Sequence, residues 1–415
     1  VNAPGKRSTA MTVPGEVDIM RLLCNLMPEK KPPMSDLDTF TTTTRTSWLG
    51  RLGGTLTGVL IGIGMIIGSV VLLSWNEGRA VDTLTALDAG AKTVLTVPAD
   101  VLQPANDGRL IAVSGPVSVR GTLADPAFGI DVANALRLRR SVEMYQWSEN
   151  KDTKTETSTG GAETTTTTYT YTRRWSANEI DSGSFAKPQG HQNPSMTHQG
   201  LTVDAREATL GAFKLDRSQI EQIDAFERLP PTPAAALPNG FRWEGDYAYR
   251  GTSFDQPEIG DLRVSFDVVP ADVLSVVAAQ HGDRLAGFVG ERNHIINMVS
   301  VGTHSAEAMF AQARSDEIVF TWIMRGVGFV VMLIGFTLGA GPLVWLASVL
   351  PFLGSLVGTA TFVVALVVTI PLTLTTIAIA WIAHRPVLGV ALIVVGIIVA
   401  VVVKRVLPAR QAKAA

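Results

Sequence analysis

The run GGTLTGVLIGIGMIIGSVVLLSW, Gly53 to Trp75, followed at once by Asn76-Glu77-Gly78-Arg79, decides how this chain is built. No charge interrupts Leu52 to Trp75, and a helix rising about 1.5 Å per residue crosses roughly 30 Å of hydrocarbon in such a length. Inside a bilayer the backbone must pair with itself, so an isolated span of this kind is an α-helix. The run predicts a transmembrane helix over residues 52–75. It is too long for the apolar core of a signal peptide, and Ser74-Trp75-Asn76-Glu77 is a poor cleavage site, so it reads as a retained anchor. Gly54, Gly58 and Gly62 recur every four residues, and Gly64 and Gly68 repeat the spacing. Such a row admits a second helix at close range, so these five glycines are candidate helix-packing positions. Trp75, Asn76, Glu77 and Arg79 mark the expected membrane interface.

A chain of 415 residues exceeds the usual size of one domain, which predicts at least two structural units. Lys plus Arg number 35 against 37 Asp plus Glu, so no basic excess points to nucleic acid. One cysteine, Cys24, supports neither a disulfide framework nor a multi-cysteine metal site within the chain. Residues 1–46 read as a disordered tail, carrying Pro4, Pro14, Pro28, Pro32 and Pro33 without periodicity. Val1 is an unusual initiator and Met34-Ser35-Asp36 an ordinary one, so residues 1–33 stand open as an upstream extension from a misassigned start.

Residues 77–317 have the character of one α+β extramembrane domain. Strand signals lie at Thr93–Val97, Leu110–Val113, Val142–Trp147, Thr167–Trp175 and Val264–Val268. Asp216 with Gln219 three residues later predicts a capping box opening a helix. Val97-Pro98-Ala99-Asp100-Val101-Leu102 returns letter for letter at Val269 to Leu274, leaving open a duplicated strand, short helix, strand unit. The threonine-rich run from Asn150 to Thr168 has little to bury and reads as a mobile hairpin tip. Its flanking strands carry Tyr145 and Trp147 outward and Tyr169, Tyr171 and Trp175 on return, for cross-strand packing or for contact with lipid headgroups. Ala306, Met309, Phe310 and Ala313 can share one helical face, packed on the domain or lying on the bilayer.

No charge occurs from Gly326 to Ala383, enough for two spans and a turn at Pro342 and Pro351. The pattern predicts transmembrane helices at 322–343, 354–382 and 387–403, with Pro371 bending the second of these, and a basic tail at 404–415. Four spans put both termini on one side. Arg45, Arg51 and the basic tail place that side in the cytoplasm, with the domain outside. Trp322 and Arg325 complete the predicted interface residues, and Glu77 is expected to pair with Arg325 or Arg79 there.

Three stretches resemble a known family: Ser47-Trp48-Leu49-Gly50-Arg51-Leu52-Gly53-Gly54, Leu73-Ser74-Trp75-Asn76-Glu77-Gly78-Arg79-Ala80-Val81, and Thr321-Trp322-Ile323-Met324-Arg325-Gly326-Val327-Gly328-Phe329. These, with one early span, a large domain and three late spans over about residues 35–405, are similar to the transmembrane protein 43 family, also called LUMA. The resemblance implies an integral membrane protein without a settled enzymatic activity. Animal members are associated with the endoplasmic reticulum and inner nuclear membrane, where organisation of membrane-protein complexes is proposed and a contribution to ion conductance has been suggested. Alanine and valine richness points here to a bacterial inner membrane, so nuclear partners do not carry over.

Catalytic chemistry finds no constellation in the sequence. His294 and His304, with Glu291 and Glu307, match no zinc spacing, and His191 and His198 sit in a polar loop. No nucleophile elbow or phosphate-binding loop occurs. The spans hold hydroxyls such as Ser69, Thr369, Thr373, Thr375 and Thr376 but no carboxylate or lysine, which argues against a proton-coupled pump. The expectation is a non-enzymatic scaffold without cofactor or metal, whose partners are the bilayer and itself or other membrane proteins. An ion-channel-like or lipid-handling protein, with a path beside Thr373-Thr375-Thr376, is the alternative.

Overall fold

The computed structural model describes residues 38–232 and 235–384. In chain order its main elements are β1 (Asp38–Thr46), α1 (Leu52–Thr93), β2 (Leu95–Val97), β3 (Leu110–Val119), β4 (Ala135–Thr157) and β5 (Glu163–Ser176). They continue with α2 (Arg217–Glu221), β6 (Leu262–Pro270), β7 (Val273–His281), β8 (Met298–Val301), α3 (Ala306–Gly339), α4 (Gly341–Ala347) and α5 (Pro351–His384). Among the described residues, three helices are long and apolar enough to cross a membrane: those ending at Thr93, Gly339 and His384. The predicted fourth span at 387–403, the tail at 404–415 and residues 1–37 lie outside the described residues.

The domain is layered by strand alternation. β1, β5, β4 and β6 belong to an eight-stranded sheet, while β8, β7, β3 and β2 belong to a seven-stranded one. Ile111 and Val113 of β3 and Val276 and Ala278 of β7 share one core with Leu136, Leu138, Val264 and Phe266 of the first sheet. The intervening Leu110, Ala112 and Val277 project from the opposite face, because successive strand residues alternate. There they meet Leu87 of α1 and Ala306, Met309 and Phe310 of α3. Two sheets and a pair of helices thus form three layers, and the helices continue out of the domain as the apolar spans.

This layering corrects the helix boundaries. α1 does not stop at Trp75 but runs to Thr93, where Val94 turns extended and its N–H caps the carbonyl of Gly90. Its second half buries Ala80, Val81, Ala86 and Leu87, so the helix serves both the span and the domain core. α3 likewise begins at Ala306, sixteen residues before the predicted start at Trp322, with Ser305 accepting from the Ala308 N–H as its N-cap. The face of Ala306, Met309 and Phe310 therefore packs on the domain. Pro342 opens α4 and Pro351 opens α5, as the turn prediction requires, and α5 continues through Pro371.

Residues 38–46, expected as part of a disordered tail, form β1 and pair along their whole length with β5, from Asp38↔Tyr171 to Thr46↔Glu163. The threonine-rich run is likewise an ordered ribbon, since β4 and β5 pair without interruption from Met144↔Ser176 to Thr157↔Glu163. Threonine is β-branched and favours strands without needing a deep core, and Thr155 faces Thr165 across the ribbon at 3.3 Å. Tyr145 packs on Trp175 across the strands, with ring centroids 5.3 Å apart. The repeated hexapeptide has unequal surroundings. The first copy leaves β2, which runs parallel to β3, whereas the second links β6 in one sheet directly to β7 in the other. The capping box is complete at Asp216 and Gln219, on the short helix α2.

The ribbon reaches the far end of the helices. Its tip gives the Gly160 N–H to the carbonyl of Val349, between α4 and α5. Arg51, just before α1, bonds Gly161 O at 3.0 Å and Ser348 Oγ at 2.9 Å and pairs with Glu163 at 2.6 Å. Trp48 and Trp345 stack there at 4.2 Å and exchange indole N–H to carbonyl bonds of 3.1 and 2.8 Å. From Ser148 to Thr157 the ribbon covers about 30 Å, the scale of a bilayer core. With no strand beyond β1 among the described residues and with Asp152, Lys154 and Glu156 exposed, it requires water or protein around it. β1 consequently carries Asp38 back to the domain end of the helices, away from Arg51.

Candidate functional site: the charged junction of three helices

α1 and α3 are antiparallel and touch backbone to backbone. A Cβ on Gly62 would stand 2.5 Å from Gly335 O and 2.9 Å from Gly339 N, and Leu73 fills the space over Gly328. Of the five predicted packing glycines, Gly62 makes this contact and Gly58 approaches it loosely, 3.9 Å from Leu338 O. Gly54, Gly64 and Gly68 have nothing within 4 Å among the described residues. Both rows have the same spacing, but Gly64 and Gly68 lie on another side of the helix.

At the domain end of this contact the predicted interface residues converge. Arg325 of α3 grips Glu77 of α1 with two bonds of 2.7 Å, from Nε and Nη2. Trp381 of α5 adds a third donor, its Nε1–H to Glu77 Oε2 at 2.7 Å. Glu77 is 1% exposed, so the carboxylate is buried with three charge-satisfying donors aimed at it. Arg79 does not share Glu77. It makes its own paired bonds of 2.8 and 2.7 Å to Glu317, which also accepts from Thr321 Oγ1. Asn76 donates to Thr321 O at 3.3 Å, while its Oδ1 is buried with no partner among the described residues.

Gly78 leaves room beside this cluster for His384 at the end of α5, whose Nε2 would lie 2.5 Å from a Cβ placed there. Aromatic faces cover the cations: Arg325 lies 4.7 Å from the Trp322 ring centre and Arg79 4.5 Å from that of Phe320. Trp75 and Trp322 themselves point outward, 55% and 64% exposed, as an interfacial belt requires. A cavity of about 200 Å³ opens at the junction, lined by Glu77, Leu84, Thr321, Trp322, Arg325 and Trp381.

The sequence reading found Glu77 with Arg325 but missed Glu317, Trp381 and His384. Glu317 lies eight residues before Arg325, a little over two turns along one helix, so the two charges share the face that meets Arg79 and Glu77 of α1. Nothing local marked Trp381, whose role depends on how α5 returns. Chemically, a carboxylate held by a guanidinium fork and an indole N–H is a fixed joint, without a free nucleophile.

The candidate histidines sit apart from this joint. His304 Nε2 bonds Val301 O at 2.9 Å, and His198 packs edge-on to Phe128 and Phe241, where burial and then Arg250 and Arg140 depress its pKa. Among the described residues no group of three or more His, Cys, Asp or Glu side chains is placed to hold a metal ion.

Apolar helices of spanning length joined by buried charges to a β-rich domain define the class, a membrane protein. Residues 144–386 match the family described as Transmembrane protein 43. Transmembrane protein 43 of Homo sapiens is 30% identical over 383 residues, covering 89% of this chain and 95% of that protein. The Mus musculus protein is 31% identical over 352 residues, 82% of this chain and 87% of its own length. The Drosophila melanogaster homolog is 30% identical over 345 residues, 81% and 91% of the two chains. The chain belongs to the transmembrane protein 43 family. No solved structure matches it.

Proposed function

We propose that this chain is a non-enzymatic membrane scaffold, assembling with itself or with other membrane proteins. The observation that carries this reading is the spare glycine row on α1. Gly62 is used against α3, whereas among the described residues nothing covers Gly64 and Gly68, which lie beside the exposed Leu60, Ile61, Ile67 and Val71. A bare glycine row bordered by apolar side chains is a surface that a further helix can approach closely. The host membrane in this reading is a bacterial inner membrane, from the alanine and valine richness of the chain. Arg45 and Arg51 lie at the end of the helices away from the domain, which supports a cytoplasmic position for that end and an outward domain. A cytoplasmic N-terminus receives no such support, since β1 returns Asp38 to the domain end.

The double substitution Gly64→Leu, Gly68→Leu tests the scaffold. Native mass of the particle extracted from its host should fall to that of the single chain, while the melting temperature in detergent stays within a few degrees. An unchanged particle mass would remove the reading. The channel-like or lipid-handling alternative is favoured by one observation, the polar ribbon running the full height of the helices. Conductance of the purified protein in a planar bilayer would give that alternative precedence.

A further inference from the structure

His191 is 1% exposed and sits where β1 meets the domain. Its Nδ1 is 2.9 Å from the carbonyl oxygen of Lys187, and its Nε2 is 2.8 Å from Asp38 Oδ2 on β1. A carbonyl oxygen only accepts, and so does an ionised carboxylate. A neutral imidazole carries one N–H and can satisfy one of these two acceptors. Both bonds form together when both ring nitrogens carry hydrogen.

We infer that His191 is held as an imidazolium and that its proton latches β1 to the domain, so that β1 loosens as pH rises. Burial opposes a charge on this ring, and the Asp38 carboxylate offsets it. Tyr171 stacks flat on the ring at 3.9 Å and presents its face to the cation, while Trp147 packs at right angles at 4.8 Å. The charged neighbours among the described residues are these: Lys187 Nζ lies 4.0 Å from Asp38, Glu149 accepts from the Tyr171 hydroxyl at 2.8 Å, and Arg173 lies over the Trp147 ring at 5.3 Å. Burial, reinforced by Glu149, pushes the Tyr171 phenol up to about 12, so it stays neutral throughout the range in which imidazole titrates.

The sign follows from the donors. At low pH both bonds are present and β1 is fastened. As pH rises and the ring loses a proton, one bond is lost; the carbonyl of Lys187, on the same loop, retains the remaining N–H, and Asp38 is left facing a lone pair. Among the described residues β1 is the outermost strand of its sheet, so its departure bares the edge of β5, a row of backbone groups that another strand can pair with. The latch thereby controls access to a pairing edge, which goes beyond the scaffold reading and does not depend on it.

Hydrogen–deuterium exchange of the β1 amides in the full chain in detergent tests the latch. Rates are corrected for the intrinsic effect of pH, and β6 serves as internal reference. Protection of residues 39–45 should fall about fivefold between pH 5 and pH 8, the scale of one partly exposed charge-assisted hydrogen bond. Asp38→Asn should keep its protection at pH 8, because the amide N–H can donate to a neutral Nε2. Nitrogen NMR of the His191 ring at pH 5 should show both nitrogens protonated. Equal pH dependence in Asp38→Asn and the parent, or a singly protonated ring at pH 5, would overturn the inference.

Discussion

Glu77→Leu is expected to destabilise the protein by roughly 3–5 kcal/mol, because it leaves Arg325 as an uncompensated charge in a buried joint. It also removes the carboxylate to which the Trp381 indole N–H donates. Thermal or denaturant unfolding in detergent reads the loss. The double variant Glu77→Leu, Arg325→Leu should recover most of it, since replacing a whole buried pair with apolar groups is often neutral. Exchanging the charges, Glu77→Arg with Arg325→Glu, should recover less than the apolar double variant. Charge is conserved in the exchange, but the Trp381 N–H then faces a guanidinium, donor against donor. Wild-type stability in Glu77→Leu alone would show that the joint does not hold the helices together.

The second large effect is expected at Gly62. Gly62→Ala puts a Cβ against the backbone of Gly335 and Gly339, where no side chain can rotate away, so the two helices must separate. Overpacking of this kind costs about 1–3 kcal/mol, and Gly62→Leu more. Gly64→Ala and Gly68→Ala, with nothing within 4 Å among the described residues, should stay within about 0.5 kcal/mol of the parent. Melting of the four variants in the same detergent compares them directly. Equal losses at all positions would mean that glycine matters here only for the helix backbone and not for the α1–α3 contact.

The contrast between these glycines shows what the sequence carried. The uncharged run of 52–75 announces a span, and a four-residue glycine spacing announces a close-packing face, yet two rows share that spacing. Which of them meets α3 depends on a residue more than 270 positions away, Gly335. Helix ends were obscured for a related reason. Glu77 and Arg79 look like a stop in the sequence, but each has an opposite charge waiting on α3, so the helix passes through them. The Asn150–Thr168 run is the hairpin its sequence predicts, but the strands reach to Thr157 and Glu163, because a β-branched run needs only strands to pair with, and one of them is the distant segment 38–46. Local signals fared better. The Asp216 and Gln219 capping box and the strand signals from Leu110 and Val264 lie where the residues put them, because their physics is contained in a few neighbouring positions.

The account rests on helices that cross a bilayer with the β-rich domain on one side. Its most direct test is sided labelling in sealed vesicles of native orientation, using a membrane-impermeant maleimide on single cysteines in a Cys24→Ser background. Glu207→Cys lies on the domain surface and Leu49→Cys at the far end of the helices, both exposed. The account predicts that the two label from opposite faces of the membrane. Labelling of both from one face, with the vesicles intact, would contradict it.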